Sequence, residues 1–177
     1  MSQTIFITGG ARSGKSRFAE QTAAGYGAPL CYLATAQSLD DEMGQRITQH
    51  RQRRGDAWHT IEEPLQPAQA LTENDVKFKA ILIDCLTLWL SNLLMLHEYQ
   101  GAKAEERILE DVLHLAETLR GMKTPVIIVS NEVGMGIVPE NSLARMFRDI
   151  AGQANQVIAA AADEAWLVAS GIPLRLK

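Results

Sequence analysis

Gly9-Gly10-Ala11-Arg12-Ser13-Gly14-Lys15-Ser16 has the form Gly-x-x-x-x-Gly-Lys-Ser, the spacing of a phosphate cradle. Glycine at the fixed positions lets the backbone curl so that successive N–H groups face phosphate oxygens. Lys15 has the reach for β- and γ-phosphates, and Ser16 offers a hydroxyl to Mg²⁺. The positive end of the helix that follows adds to the same field. Gly9, Gly10, Ala11, Arg12, Ser13, Gly14, Lys15 and Ser16 are therefore candidate nucleotide contacts, with Lys15 also a candidate catalytic residue. A bound nucleotide–metal complex calls for a second acid at the end of another buried strand. Ile81-Leu82-Ile83-Asp84 has that form, so Asp84 joins Ser16 as a candidate metal ligand. An Asp in this place also reads as a cap for the next helix.

These residues need a scaffold, and the apolar pattern supplies one. Five runs read as strands of a parallel sheet buried on both faces: Ile5 to Thr8, Leu30 to Ala34, Ala80 to Asp84, Val126 to Ser130 and Trp166 to Ala169. Helical patterns lie between them, which predicts an α/β fold of the P-loop NTPase type, a mostly parallel sheet flanked by helices on both faces. The first helix is expected from Lys15 or Ser16 to Gly25–Gly27, packing Phe18, Thr22 and Tyr26. A second, opened by the capping-box spacing of Ser38 and Asp41, is expected to reach Arg54. Cys85 to Leu96 is an apolar helix. Ile108, Leu109, Val112, Leu115, Ala116 and Leu119 mark another, with His114 facing solvent. A last one, from about Glu140 to Ala162, carries Leu143, Met146, Phe147, Ile150, Ala154, Val157, Ile158 and Ala161 on one stripe.

With 177 residues, one domain spanning 1–177 is expected, long enough to bury roughly 70% of its unfolded surface. The formal charge of −4 offers no general attraction to nucleic acid or anionic membrane. No stretch is long and uninterrupted enough to span a bilayer, and the N-terminus, entering Thr4-Ile5-Phe6-Ile7-Thr8 directly, predicts no signal peptide. Cys31 and Cys85 sit in apolar runs without metal or disulfide spacing, which suits a reducing cytoplasm. His59 and His97 have no motif partners and read as structural.

Further motifs follow in order: Ala34-Thr35-Ala36; Asp40-Asp41-Glu42-Met43 with Arg46-Ile47 and His50-Arg51; and Asn131-Glu132-Val133-Gly134-Met135-Gly136-Ile137-Val138-Pro139-Glu140. With the cradle, this set closely resembles the bifunctional adenosylcobinamide kinase / adenosylcobinamide-phosphate guanylyltransferase family of cobalamin biosynthesis. The match covers nearly the whole chain; 65–79 and 99–124 lack distinctive motifs.

The resemblance implies a two-step enzyme. It would phosphorylate the aminopropanol hydroxyl of adenosylcobinamide with a nucleoside triphosphate, ATP or GTP, and then transfer GMP from GTP to that phosphate. Adenosylcobinamide-GDP and pyrophosphate are the products. His50 matches the family's covalent guanylyl-histidine, and a homotrimer is implied. Ala34, Thr35, Ala36, Arg51, Gln52, Arg53, Arg54 and Glu62 occupy places where the family contacts the guanine nucleotide. On a helix, Arg46, His50, Arg53 and Arg54 would share one face. Neighbouring cations would favour neutral imidazole, the form that attacks phosphorus. On spacing alone the same residues read as a solvated basic end of a helix. Asn131 to Pro139, after a strand and containing two glycines, is expected to help form the corrinoid or phosphate site.

Two rival readings differ in what they require. A P-loop kinase for another small alcohol would share the cradle and Asp84 without needing His50. A nucleotide-dependent switch would need a base-reading motif such as Asn-Lys-x-Asp, and Ser130-Asn131-Glu132 is a poor substitute.

Overall fold

The computed structural model describes residues 3–37, 55–97 and 102–177. Seven strands form one sheet: β1 (Thr4–Thr8), β2 (Leu30–Ala34), β3 (Trp58–Glu62), β4 (Ala80–Asp84), β5 (Val126–Val129), β6 (Glu164–Ala169) and β7 (Ile172–Arg175). Their order across the sheet is β3-β2-β4-β5-β1-β6-β7. Every pairing is parallel except that of β6 with β7. Described helices are α1 (Lys15–Ala24), α2 (Pro67–Asn74), α3 (Leu86–His97), α4 (Ala102–Gly121) and α5 (Ser142–Ala161). The expected helix at 38–54, which includes His50, lies outside the described residues.

The central strands are buried and mostly apolar because both faces of the sheet are covered. Successive side chains alternate between two cores. Ile5, Ile7, Leu82, Ile127 and Val129 meet α1 through Ala19 and Ala23. Phe6, Ile81, Ile83, Val126 and Ile128 meet the other helices through Leu71, Leu90, Ile108, Leu115 and Ile158. Each fully buried Leu or Ile contributes about 1.5–3 kcal/mol relative to exposure.

Five strands were expected and seven are present among the described residues. The two additional strands are the sheet's edges. β3 is half-exposed and includes His59, Thr60 and Glu62, and β7 is exposed along its length. Neither edge makes the continuous apolar run that marks a doubly covered strand, and Pro173 is tolerated because β7 has no outer neighbour among the described residues. On α1 the deepest residues are Ala19 and Ala23, with Phe18, Thr22 and Tyr26 half-buried beside them. Small side chains let the helix sit close to the sheet. α5 begins at Ser142, later than the expected Glu140, because Asn141 caps it by accepting from the Ala144 N–H at 3.1 Å. Leu143 at its start is exposed, leaving the covered face to Ile150, Ala151, Ala154, Asn155 and Ile158. His114 faces solvent as expected, and His59, exposed on β3, stacks on Phe78.

Candidate active site at the C-terminal ends of the strands

β1 delivers the chain into the cradle and α1 takes it away, so residues 9–16 form a loop between two rigid elements. Gly14 (φ 97°) and Arg12 (φ 55°) adopt left-handed conformations that turn the backbone. At Gly9 a Cβ would lie 2.4 Å from the Val168 carbonyl oxygen, so no larger residue fits. The Ser13 N–H donates to the Gly10 carbonyl at 3.2 Å, and the Lys15 ammonium folds back onto the same oxygen at 3.1 Å. The hairpin joining β6 to β7 supports the loop from below. Its central residues, Ser170 and Gly171, both have positive φ, as a type I′ turn requires, and the Gly171 N–H donates to the Ser13 carbonyl at 2.8 Å.

Two features suit an anion here. The first turn of α1 has neither an acidic residue nor a side-chain cap, which leaves its N–H groups open. Among the described residues the Ser13 hydroxyl is buried without a hydrogen-bond partner, and so is that of Thr8 just before the loop. Lys15 is only 8% exposed. Burial holds its ammonium below the usual lysine range; the nearby Cys85 and Asp84 pull the other way.

Asp84 ends β4, two strands from β1, where its Oδ2 accepts from the Tyr32 hydroxyl at 2.9 Å. Ser16, half-buried, opens α1 beside Lys15. Ala34, Thr35 and Ala36 follow β2 at the same edge. The Thr35 hydroxyl is committed to the backbone: it donates to the Cys85 carbonyl at 2.7 Å and accepts from the Cys85 N–H at 2.8 Å. Glu62 ends β3, paired with Ala34 and exposed, at the far side of the sheet. Burial pushes the Cys85 thiol up to about 11 and the Cys31 thiol up to about 12, which leaves both as unreactive core groups at neutral pH. His50, Arg51, Gln52, Arg53 and Arg54 lie outside the described residues.

Sequence reasoning missed the polar groups that hold this edge together. Asn155 sits on the apolar face of α5, accepting from the Ser130 hydroxyl at 2.6 Å and donating to the Asn131 carbonyl at 3.2 Å. Thr87 in the first turn of α3 accepts from the Asn131 side chain at 2.8 Å and contacts the Cys85 sulfur at 3.2 Å. A polar residue interrupting an apolar stripe was the available signal for Asn155. The loop these groups anchor, Asn131 to Pro139, is tied to the cradle by the Glu132 N–H, which donates to the Gly9 carbonyl at 3.0 Å. At its other end Arg145 donates to the Pro139 and Glu140 carbonyls. Met135, Ile137 and Val138 are exposed along it. A cleft of about 330 Å³ opens between α3 and the start of α5, lined by Met95, Asn141, Leu143 and Phe147 among others.

Residues 5–176 match the family described as cobinamide kinase / cobinamide phosphate guanyltransferase. The chain belongs to that family. It is 45% identical to the bifunctional adenosylcobalamin biosynthesis protein CobU of Escherichia coli (strain K12), covering 98% of this chain and 99% of that one. Identity to the bifunctional protein CobP of Pseudomonas aeruginosa is 44%, over 97% and 95% of the two chains. The CobU protein of Salmonella typhimurium is also 44% identical, over 98% and 99%. Among solved structures, the RadB recombinase shares the fold at a TM-score of 0.53 and 13% identity, covering 93% of this chain and 73% of that one. That likeness concerns the α/β architecture alone. Among the described residues no helix is long and apolar enough to cross a membrane.

Proposed function

We propose that this protein carries out both reactions of its family: phosphorylation of adenosylcobinamide by ATP or GTP, then transfer of GMP from GTP to the resulting phosphate, releasing pyrophosphate. The observation that carries the reading is the complete cradle between β1 and α1, with Lys15 and Asp84 at one sheet edge, in a chain matched by the family from 5 to 176. The triphosphate lies against the N–H groups of residues 9–16, with the Ser13 hydroxyl gaining the partner it lacks. Lys15 holds the β- and γ-phosphates, and their negative charge favours its ammonium form against the burial that disfavours it.

The residues present fit a magnesium ion. Ser16 and Asp84 would supply one oxygen each, and no cluster of three or more His, Cys, Asp or Glu side chains exists among the described residues. That sparse donor set suits an ion that keeps waters and takes further oxygens from the substrate phosphates. When bound it neutralises charge building between the β- and γ-phosphates.

For guanylyl transfer, His50 attacks the α-phosphorus of GTP and forms a nitrogen–phosphorus bond as pyrophosphate departs. The corrinoid phosphate then attacks the same phosphorus and frees the histidine. Arg51, Gln52, Arg53, Arg54, Glu62 and the backbone of Ala34 to Ala36 are assigned to the guanine nucleotide. The 131–139 loop, with its exposed Met135, Ile137 and Val138, is assigned to the corrinoid. A cytoplasmic homotrimer of one-domain subunits completes the proposal.

The test is incubation with Mg²⁺ and α-labelled GTP, followed by denaturation. Acid-labile, base-stable label is expected on the wild type and absent from His50→Ala, which keeps its kinase activity. Absence of label on active wild-type protein would leave a kinase without a covalent intermediate.

A further inference from the structure

We infer that Glu132 accepts the proton of the attacking hydroxyl in the kinase step, an inference that rests on the two-step reading above. In that step the substrate oxygen bonds to the γ-phosphorus. The bond from that phosphorus to the β–γ bridging oxygen breaks with its electron pair leaving on the nucleoside diphosphate, and the hydroxyl proton passes to the Glu132 carboxylate and on to solvent. An alcohol needs such an acceptor. A phosphate monoester, which attacks in the second reaction, is already an anion and does not.

Strand order selects the residue. β5 lies between β4, which ends in Asp84, and β1, which leads into the cradle. The chain leaving β5 therefore emerges between the candidate metal carboxylate and the phosphate loop, and Glu132 stands in that gap with its N–H bonded to the Gly9 carbonyl at 3.0 Å. The other described carboxylates along this edge are placed or engaged differently. Glu62 ends β3, four strands from β1, which at one strand spacing each is roughly 19 Å away. Glu63 accepts from the Leu65 and Gln66 N–H groups, both at 2.9 Å, and so is engaged in the turn that leads into α2. Asp84 holds the Tyr32 hydroxyl. Glu140 lies at the distant end of the loop.

The surroundings of Glu132 suit a fixed but available base. The preceding residue, Asn131, is held from both sides, by Thr87 of α3 and Asn155 of α5. One Glu132 oxygen, Oε1, accepts from the Gly134 N–H at 3.0 Å, which orients the carboxylate; Oε2 has no hydrogen-bond donor among the described residues. A Cβ at Gly134 would come within 3.1 Å of Oε1, so the glycine keeps this turn open.

The experiment measures the two half-reactions separately on wild type, Glu132→Gln and Glu132→Asp. One assay supplies the corrinoid alcohol with Mg²⁺ and ATP or GTP; the other supplies the already phosphorylated corrinoid with GTP. Glutamine preserves the oxygen that accepts from Gly134 and removes the base. Glu132→Gln is expected to lose about 10²–10⁴-fold in kinase kcat while its nucleotide affinity and its covalent labelling by α-labelled GTP persist, and any change in guanylyl transfer, which reads the loop's hold on the corrinoid, stays far smaller. Glu132→Asp should recover part of the kinase rate. Wild-type kinase activity in Glu132→Gln overturns the inference, as does parallel loss of both reactions and of nucleotide binding, which would make the residue a loop support. A wild type that fails to phosphorylate the alcohol overturns the two-step reading itself, and the inference with it.

Discussion

At the N-terminal ends of the strands, Asp75 accepts from the backbone N–H groups of Val76, Lys123 and Thr124, and the Lys177 ammonium donates to the Ala159, Ala160 and Ala162 carbonyls at the end of α5. Glu164 there gathers Gln3, Trp166 and Arg175. At the C-terminal ends, the Thr8 and Ser13 hydroxyls are buried without partners among the described residues, and Lys15 is buried against its preference with one backbone oxygen as its hydrogen-bond acceptor there. Folding would gain from treating both ends alike, since an unpaired buried polar group costs about 1–3 kcal/mol. On the function proposed above, one end closes the structure on itself and the other is left for a ligand to complete. Variants at the two ends should therefore separate activity from stability.

Lys15→Ala tests this most severely. Both activities should fall by about 10²–10³-fold or more, because the charge that holds the β- and γ-phosphates is gone. The apo melting temperature should not fall, since the substitution removes a buried charge that has no carboxylate hydrogen bond among the described residues. Steady-state kinetics and a thermal melt on the same preparation decide it. Near-normal turnover would remove the phosphate assignment, and a collapse in stability would place Lys15 with the closed end.

The residues of the proposed ligand end could be picked out because their signals are local. The cradle is eight consecutive residues, and the Asp84 reading needs one apolar strand to precede it. The parallel core strands announced themselves as unbroken apolar runs, since a strand covered on both faces has no polar side. Legibility failed where an element's role depends on distant partners. β3 and β7 are strands because a neighbour on one side offers hydrogen bonds, not because their own residues insist on it. Asn155 and Thr87 matter through contacts with Asn131 that span 24 and 44 residues of sequence. Ser170 and Gly171 support the phosphate loop from the opposite end of the chain.

Asp75 supplies the converse test. Asp75→Ala removes an acceptor serving three N–H groups and should cost about 1–2 kcal/mol, a fall of roughly 3–6 °C in melting temperature, with kcat unchanged. The pH dependence has a definite sign. Burial alone would raise the Asp75 pKa, but the hydrogen bonds from Thr124, Lys123 and Val76 outweigh it and hold the carboxyl below its ordinary 3.8. A depressed folded-state value means the stabilisation is full above the unfolded pKa and is lost as pH falls through the folded one. Urea midpoints measured from neutral pH down to about 3 should therefore decline less in Asp75→Asn than in wild type. An equal decline would mean that the charge on Asp75 contributes nothing to closing this end.

Ser13→Ala is the smallest and most discriminating change, because the two functions of one hydroxyl should move in opposite directions. In the free protein the Ser13 hydroxyl is buried without a partner among the described residues, so removing it relieves a desolvation penalty. A gain of up to about 1 kcal/mol, or roughly 2–4 °C, is expected in the apo melting temperature. The same substitution takes away a donor that the bound phosphates would use, so the rise in melting temperature on adding Mg²⁺ and nucleotide should shrink. Since that rise grows as the logarithm of ligand concentration over Kd, titrating nucleotide against melting temperature gives the loss of affinity directly. A fall in apo stability with an undiminished nucleotide shift would mean the hydroxyl is already satisfied in the free protein. Ser13 would then belong with the self-contained groups of the opposite end, and the contrast between the two ends would rest on Lys15 and the Thr8 hydroxyl.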